Sequence, residues 1–400
     1  MALYVNTNVS ALNGQKNLSN VTDRMNSSFE KLSSGSRINS ARDDAAGLQI
    51  SDRLTTQITG LNQASRNAND GISIAQIAEG ALGEVTNNIQ RMRQLVVQGG
   101  NRTLSEDDRS ALSQEFTKLL NVNNDIADRT AYGTLKILNG DSPESGFQIQ
   151  SGAQAGEQDT VTTGNAELTA LFGEIAKKEN ITLNMSAMSG NLQNYGTLGK
   201  IVAAYAVVTG QSNITTAATE LFGTTTGSIQ ANEIGTNQGG GIEVNVANFA
   251  KLLEAETEAG SGLANVSNIA AGLGNNMLAA MGLTNMAAIA DASDGGLTDA
   301  QVNTAHGFVT DTLLDAMSGL ITQVDSQRAK LGAEQNGLTS TVRNNTTAVV
   351  NVSDSRSRIQ DTDFAAETAE LTRNQIIQQA STTILSQANQ LPQTALSLLR

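Results

Sequence analysis

The stretch SSGSRINSARDDAAGLQISDRL, residues 33–54, places a dense group of charges directly after a glycine–serine turn. Its charged side chains are Arg37, Arg42, Asp43, Asp44, Asp52 and Arg53. Carboxylates beside arginines can serve as acid/base groups, as part of a phosphate site, or as structural electrostatics. The stretch alone leaves these three interpretations open, so the rest of the chain has to decide between them.

The same stretch predicts the end of one helix and the start of another. Gly35 follows an apolar stripe and suits the left-handed conformation that ends many helices. Ser40 is predicted to cap the next helix, with Asp43 three residues later as a capping-box-like partner. Asp43 and Asp44 then lie in its first turn, where the helix dipole favours carboxylates. Residues 36–39 become a short connector, and the charges need no catalytic explanation.

Composition excludes several functional classes. The net charge of −14 disfavours nucleic acid as a partner. The chain has no cysteine, which excludes disulfides, thiolate metal sites and cysteine nucleophiles. The single histidine, His306, cannot build a multi-histidine zinc site, and we expect it at the surface in a structural role. We therefore predict no catalytic, cofactor or metal site.

The sequence also gives no sign of a membrane segment or a cleaved leader. Its longest apolar run, IVAAYAVV, is far shorter than the ~20 residues that cross a bilayer. Residues 1–14 lack the basic-then-apolar pattern of a signal peptide. We expect no membrane insertion, and an extracellular location would require an export route that reads another signal.

The positions of the arginines divide the chain into two kinds of segment. All sixteen arginines lie before residue 130 or after residue 327. Residues 151–306 contain four lysines against fourteen acidic residues, so this segment carries −10 of the net charge. Such a pattern is typical of a domain inserted into a scaffold that both termini build.

Both ends predict long amphipathic helices, because apolar residues recur there at spacings of three and four. The N-terminal stripe is Val5, Val9, Leu12, Leu18, Val21, Met25, Phe29 and Leu32. The C-terminal stripe is Ile377, Ala380, Ile384, Ala388, Leu391, Ala395 and Leu398. Pro392 lies inside the second stripe, where its ring should kink or break the helix. Another helix is predicted to open at Ser105, and one from Thr298 to about residue 352.

The two terminal stripes are expected to pair, because an isolated amphipathic helix is marginal in water. An antiparallel pair hides only about half of its apolar surface, so either the remainder meets other copies of the chain or the ends stay disordered. We predict subunit contacts at Val5, Leu12, Val21, Phe29, Arg37, Arg42, Asp43, Asp44, Ile377, Ile384, Leu391 and Leu398. The charged members would fix register between copies rather than add much stability.

The predicted fold class is mainly α, with long N- and C-terminal helices that form a coiled-coil or helical-bundle rod. Residues 1–42 with 357–400 form an inner terminal coiled coil. Residues 43–165 with 305–356 form a helical rod, in which the alternating stretch FQIQ predicts a β-hairpin. The remaining residues, 166–304, form a small, partly helical α+β domain on the outside.

Several long motifs resemble bacterial flagellin. They are NTNVSALNGQKNLS, SSGSRINSARDDAAGLQISDRL, QRMRQLVVQGGN, SRIQDTDFAAETAELTRNQIIQQA and QANQLPQTALSLLR, in the family's order at both ends. The resemblance covers about residues 1–140 and 310–400. It implies a structural subunit that self-assembles into the flagellar filament for motility, outside the cell, with no enzymatic activity.

The resemblance also implies partners. Flagellins are exported unfolded through the flagellar type III apparatus, which accounts for secretion without a signal peptide. A cytoplasmic chaperone holds the C-terminal helices before export, and the filament contacts the cap and the hook-associated proteins.

Animal innate receptors recognise flagellins, and the resemblance implies two regions for this. The first is a helical patch at Gln90, Arg91, Leu95, Gln98 and Glu115, which we expect to present one exposed face. The second is the C-terminal pair Leu398 and Leu399. Gln94 and Gly99-Gly100 depart from the residues that many family members carry there. For all of these positions, filament packing is the primary role and recognition by a host is incidental.

Two alternatives stay open at the level of sequence, and a third is excluded. A hook–filament junction protein would share the terminal helices but occur in few copies. A metallopeptidase insertion requires an HExxH helix, which one histidine excludes. A glycosylated or adhesive outer domain is compatible with the many serines and threonines of residues 160–230.

Overall fold

Long helices from both ends of the chain dominate the structure, a computed structural model. It describes residues 8–143, 145–178, 183–184, 196–209, 214–222, 228–229, 244–254 and 299–398. None of the described helices has an apolar stretch long enough to cross a membrane. The predicted fold class, mainly α with long terminal helices, is confirmed.

The elements of the described residues follow in chain order. The helices are α1 Val9–Ser34, α2 Ala45–Gly99, α3 Glu106–Arg129, α4 Leu168–Lys178, α5 Gly196–Thr209, α6 Ile214–Phe222, α7 Val246–Ala250, α8 Asp299–Gln360 and α9 Phe364–Leu398. A single 3-10 turn, Lys251–Glu254, follows α7. The strands are β1 Ala131–Tyr132, β2 Leu135–Lys136, β3 Phe147–Gln150, β4 Gln158–Val161, β5 Leu183–Asn184 and β6 Ser228–Ile229. They form antiparallel pairs β1–β2, β3–β4 and β5–β6.

Local capping explains where the first and third helices stop and start. Gly35 ends α1 in the left-handed conformation (φ 71°), and its N–H donates to the Lys31 carbonyl at 2.9 Å, as predicted. Ser105 caps α3 as predicted, through a reciprocal capping box with Asp108. The pKa of Asp108 lies below its usual range because it accepts hydrogen bonds from the Ser105 hydroxyl and backbone.

The C-terminal helices run further than the sequence predicts. The end of α8 lies at Gln360 rather than near residue 352. Residues 364–398 are helical without interruption, so the predicted break at Pro392 is wrong. A proline removes one N–H from the helix, and the carbonyl that this affects, at Ala388, accepts a hydrogen bond from Asn8 instead. The predicted start of α8 at Thr298 lies outside the described residues.

The chain divides into two compact units. Unit 1 comprises Met1–Arg66, Ser151–Glu157 and Thr341–Arg400; unit 2 comprises Asn67–Gln150 and Gln158–Ser340. The three-part division predicted from the sequence has different boundaries and stays a prediction.

Unit 2 has a core built from α2, α3 and α8. Buried apolar side chains recur along all three helices: Leu82, Val85, Ile89, Met92, Leu95, Phe116, Leu120, Met317, Leu320 and Val324. The two long helices run antiparallel here, since Gln335 of α8 donates to Glu79 of α2 at 2.9 Å while Gly100 approaches Thr310. Each stripe of spacing three and four therefore faces the other helices.

The predicted β-hairpin is present and joins this helical core. Phe147 pairs with Val161 and Gln150 with Gln158 in an antiparallel ladder. Asn67 of α2 donates its side-chain amide to the Gln150 carbonyl at 3.0 Å. On the other side, the Glu334 carboxylate of α8 accepts the N–H of Thr162 at 2.8 Å. The hairpin is thereby hydrogen-bonded to both long helices of unit 2.

Part of the predicted outer segment, residues 166–304, packs on α3. The Phe249 ring of α7 lies 6.1 Å from the Phe116 ring of α3 and 5.4 Å from the Phe172 ring of α4, between ring centroids. The Ser113 hydroxyl of α3 donates to the Ala250 carbonyl at 3.2 Å. The described part of this segment therefore shares the hydrophobic core of unit 2.

His306 is buried in unit 2, with 7 % of its surface exposed, so the expected surface position is wrong. Its helix, α8, turns the residue toward the core together with Ala305 and Val309. Burial, together with the smaller effect of the positive charges of Arg109 and Arg102, lowers the pKa of His306 to about 4. The histidine is therefore neutral in the folded chain at pH 7.

Replacing the Phe249 ring tests how strongly the outer segment supports the core. We expect Phe249→Ala to lower the free energy of unfolding of unit 2 by about 3–5 kcal/mol, because a buried ring and its contacts are lost. Urea unfolding, with hydrogen exchange on α3, measures the change. The matched control is Phe364→Ala in unit 1, whose ring is exposed; equal losses in both variants would contradict the assignment.

The pKa of His306 predicts a stability that depends on pH. An unfolded histidine titrates near 6.5 and the folded one at about 4. Between these values the unfolded chain binds more protons, so stability is complete above pH 6.5 and decreases as the pH falls toward 4. We expect His306→Gln to remove at most about 3 kcal/mol of this dependence, measured by urea unfolding from pH 7 to 4. An unchanged slope would refute the assignment.

Candidate assembly surface at the chain ends

The two ends of the chain pair in unit 1. Helices α1 and α9 lie in extensive antiparallel contact. The start of α1 reaches the late part of α9, since the Asn8 side-chain amide donates to the Ala388 carbonyl at 2.7 Å. Gly14 lies against Leu385, and Gly35, at the end of α1, lies near Phe364 at the start of α9. The predicted antiparallel pairing of the ends is present.

The seam between these helices is thin. Its buried side chains among the described residues are Val21, Ser28, Asn374 and Ala388. Large apolar side chains remain exposed on both helices: Val9, Leu12, Phe29, Phe364, Ile376 and Ile384, which we name the terminal apolar set. Leu12 is 57 % exposed and Ile384 59 %. These exposed apolar side chains make the terminal apolar set the candidate surface for contact with another protein.

The predicted contact residues occupy different environments in the pair. Leu12, Phe29 and Ile384 are exposed and belong to the terminal apolar set, whereas Val21 is buried and Ile377 is half-buried. Val5 and Leu399 lie outside the described residues. Leu391 and Leu398 lie in α9, but their side chains are outside the described part of the structure. Their roles in subunit contacts stay predictions.

Sequence reasoning missed Phe364 and Ile376. Adjacent residues on a helix point about 100° apart, so Ile376 and Ile377 cannot both face α1. This doublet is a signal that α9 has a second apolar face. Phe364 is the first residue of α9 and precedes the predicted apolar stripe, which begins at Ile377. The spacing of three and four therefore did not include it.

The connector is longer than predicted, since α1 ends at Ser34 and α2 begins at Ala45, so that it comprises residues 35–44. It is held to the link between α8 and α9. Ser36 and Asp361 form an antiparallel β-bridge. The Arg37 N–H donates to the Gln360 carbonyl at 2.6 Å, and the Thr362 N–H donates to the Gly35 carbonyl at 3.0 Å. Two chain segments that are more than 300 residues apart in sequence thus share main-chain hydrogen bonds.

Arg37 has a task inside the chain. Its guanidinium donates to the Ile359 carbonyl at 2.6 Å, in the last turn of α8. A cation there interacts well with the unpaired carbonyls and the negative end of the helix dipole. The Arg37 side chain is also exposed, and its predicted contact with another subunit stays a prediction.

Asp44, and not Ser40, caps α2. Its carboxylate accepts the N–H groups of Ala46 and Gly47 at 3.1 and 2.9 Å, and the helix begins at Ala45. The predicted start at Ser40 is wrong because Ser40 and Asp43 form a separate turn before the helix. The N–H groups in the first turn of a helix have no partner within the helix, and Asp44 accepts hydrogen bonds from two of them.

Asp43 organises that turn. Its carboxylate accepts the N–H groups of Asn39 and Ser40 and the Ser40 hydroxyl, at 3.0–3.1 Å. These hydrogen bonds, that from the Asn39 backbone first, hold the pKa of Asp43 below its usual range. A carboxylate that is ionised and already bonded does not serve as a general acid at neutral pH.

Three charged side chains of the stretch 33–54 remain available. Arg42, Asp52 and Arg53 are exposed, and within the described part of the chain they form no ion pair. These three side chains can therefore pair with another copy, and the subunit contacts predicted at Arg37, Arg42, Asp43 and Asp44 stay predictions.

Gly47 lets the connector pack closely against α2. A Cβ added there would lie 2.5 Å from the Asp44 carboxylate and 2.7 Å from Ile38 Cδ1. Ile38 is buried, and it anchors the connector to the helix. A side chain at position 47 would push both residues away.

The predicted helical patch on α2 and α3 is only partly a shared surface. Arg91 and Glu115 form an ion pair at 2.8 Å across the two helices, and Gln90 and Gln98 are exposed. Leu95 is fully buried, so the expectation that it shares the exposed face is wrong. It lies on the side of α2 that faces the core of unit 2. Receptor binding at this patch stays a prediction.

The cap assigned to Asp44 predicts separable effects of two substitutions. We expect Asp44→Ala to cost unit 1 about 1 kcal/mol and to speed amide exchange at residues 46–48, because two N–H groups lose their acceptor. Asp44→Asn keeps a capping oxygen and is expected to retain most of the stability. Hydrogen exchange measured by NMR distinguishes the two. Equal damage from both would mean that charge, and not capping, is what the site requires.

Comparison with known proteins agrees with this architecture. The family model for the bacterial flagellin N-terminal helical region matches residues 5–142, and that for the C-terminal helical region matches residues 314–399. Flagellin A of Vibrio anguillarum is 39 % identical over 409 aligned positions, covering 100 % of both chains. Flagellin A of Vibrio cholerae serotype O1 and polar flagellin C of Vibrio parahaemolyticus are 39 % and 38 % identical, again over 100 % of both chains. The chain therefore belongs to the bacterial flagellin family, the structural and non-enzymatic subunits of the flagellar filament.

Proposed function

We propose that this chain self-assembles, copy on copy, into the helical flagellar filament that drives swimming, after export in unfolded form through the flagellar type III apparatus. The observation that carries the proposal is the terminal apolar set. Helices α1 and α9 pair, yet Leu12, Phe29 and Ile384 stay exposed. Burying them against further copies stabilises the assembly by roughly 25 cal/mol for each Å² of apolar surface removed from water.

Exposed charges of residues 42–53 make the contact between copies specific. Arg42, Asp52 and Arg53 are exposed and carry opposite signs within one short segment. Pairs between exposed charges contribute little stability, with a median of about 0–1 kcal/mol. Repeated at every subunit contact, they select one alignment of copies over others, which a helical polymer requires.

Export in unfolded form is supported by the weakness of the terminal pair. Few apolar side chains are buried between α1 and α9, so little free energy opposes their separation. The chain also contains no cysteine that could cross-link it on the way out. A chaperone that covers α9 at Ile377 and Ile384 would prevent assembly before export.

Further partners follow from the same proposal. The filament cap and the hook-associated proteins would contact the chain at the two ends of the polymer. Host innate receptors would meet Arg91 and Glu115, which are exposed and paired, whereas Leu95 would act only by packing. The C-terminal Leu398 and Leu399 are the second candidate for host sensing.

Charge placed on the terminal apolar set tests assembly. In a strain that lacks its own flagellin, we expect the unmodified chain to form long filaments in electron micrographs. Leu12→Asp and Ile384→Asp are each expected to abolish or sharply shorten filaments, because a buried unpaired carboxylate opposes the contact. Unit 2 should keep its stability, since neither residue belongs to it.

The conservative variants Leu12→Met and Ile384→Val are the controls, and they should assemble. Normal filaments from both aspartate variants would contradict the proposal. A hook–filament junction protein, the alternative function, predicts a different result: the unmodified chain would form no filament, and its own loss would release flagellin into the medium.

A further inference from the structure

The proline in α9 leaves one carbonyl of the helix without its usual partner. In an α-helix the N–H of residue i donates to the carbonyl of residue i−4. Pro392 has no N–H, so the Ala388 carbonyl has no helical donor. Ala388 is 7 % exposed, which leaves little room for water to replace that donor. A buried polar group without a partner destabilises the structure that contains it.

Asn8 supplies the missing donor from the other end of the chain. Its side-chain Nδ2 donates to the Ala388 carbonyl at 2.7 Å. The other atom of the same amide, Oδ1, accepts the Ala11 N–H at 3.0 Å and thereby caps α1. Both functions of the amide are used, one for its own helix and one for the partner helix.

We propose that Asn8 and Pro392 together set the register of α1 against α9. Pro392 is the only proline of α9, so it leaves one carbonyl without a helical donor before the last turn of the helix, that of Ala388. A slip of one turn would leave this carbonyl without a donor and would place the Asn8 amide beside a carbonyl that is already bonded. The contact lies within one chain, so the inference does not rest on filament assembly.

The apolar seam alone specifies register weakly. Its apolar members recur every three or four residues, and small residues such as Gly14 and Ala388 tolerate displacement along the helix. A single polar contact in a helix pair is a known means of fixing alignment at some expense of stability. Asn8 and Pro392 have this role here because the acceptor exists at one position only.

An engineered disulfide can report the register, because the natural chain has no cysteine. A Cβ added at Gly14 would lie 3.8 Å from the Leu385 Cβ, which matches the ~3.8 Å mean of disulfides. The full chain carrying Gly14→Cys and Leu385→Cys is equilibrated in glutathione buffers of known ratio. The fraction oxidised gives the effective concentration of the two thiols, in monomer or filament alike.

Asn8→Asp is the test variant, since aspartate keeps the cap of α1 but cannot donate to a carbonyl. We expect it to lower the effective concentration of the 14–385 pair roughly tenfold, as expected for loss of one hydrogen bond. In the Pro392→Ala background, where the N–H of residue 392 is restored, Asn8→Asp should change it less than about twofold. Asn8→Ser, an uncharged cap, should give the same pattern.

A second pair, Gly14→Cys with Ser381→Cys, reports a shift of one turn along α9. Its oxidation should rise in Asn8→Asp and should stay at that raised level when Pro392→Ala is added, because the Pro392→Ala background also lacks the freed carbonyl that distinguishes the two registers. The inference is overturned if Asn8→Asp leaves the 14–385 pair unchanged, or if it lowers that pair equally in both backgrounds. Filament micrographs test the proposed function separately, because neither thiol measurement depends on assembly.

Discussion

The structure depends on one constraint: neither terminal helix has a core of its own, so the two ends must pair with each other. The contacts of residues 35–37 follow from that pairing. The connector forms main-chain hydrogen bonds with the α8–α9 link, and Arg37 caps the end of α8. An amphipathic helix alone is marginal in water. Tying both ends at one bridge turns two marginal helices into a single unit with an outward apolar face.

Local electrostatics, rather than catalysis, explains the charges that stand out in the sequence. Asp44 satisfies two N–H groups at the start of α2, and Asp43 satisfies two more in the turn before it. Each carboxylate is held by backbone donors a few residues away, and for Asp43 these hydrogen bonds keep the pKa below its usual range. What remains for other copies is the smaller group Arg42, Asp52 and Arg53.

Features that neighbouring residues determine could be predicted from the sequence, and features that distant residues determine could not. Gly35, the Ser105 cap and the β3–β4 hairpin depend on a few adjacent positions, and the sequence predicted them. The start of α2 was misplaced because Ser40 and Asp44 are both good caps, and only the fold selects between them. The Ala388 carbonyl of α9 accepts a hydrogen bond from Asn8 at the other end of the chain, and the burial of His306 and Leu95 depends on tertiary packing that periodicity does not report.

The distance between the paired ends in sequence also has a consequence for timing. Asn8 and Ala388 are 380 residues apart. A ribosome adds about 5–20 residues per second, so the first helix waits on the order of 20–75 s before its partner emerges. Until α9 emerges, α1 lacks the helix against which its apolar stripe packs. An isolated amphipathic helix is marginal in water, so the order of the two helices in the chain delays the stable form of α1 until the end of synthesis.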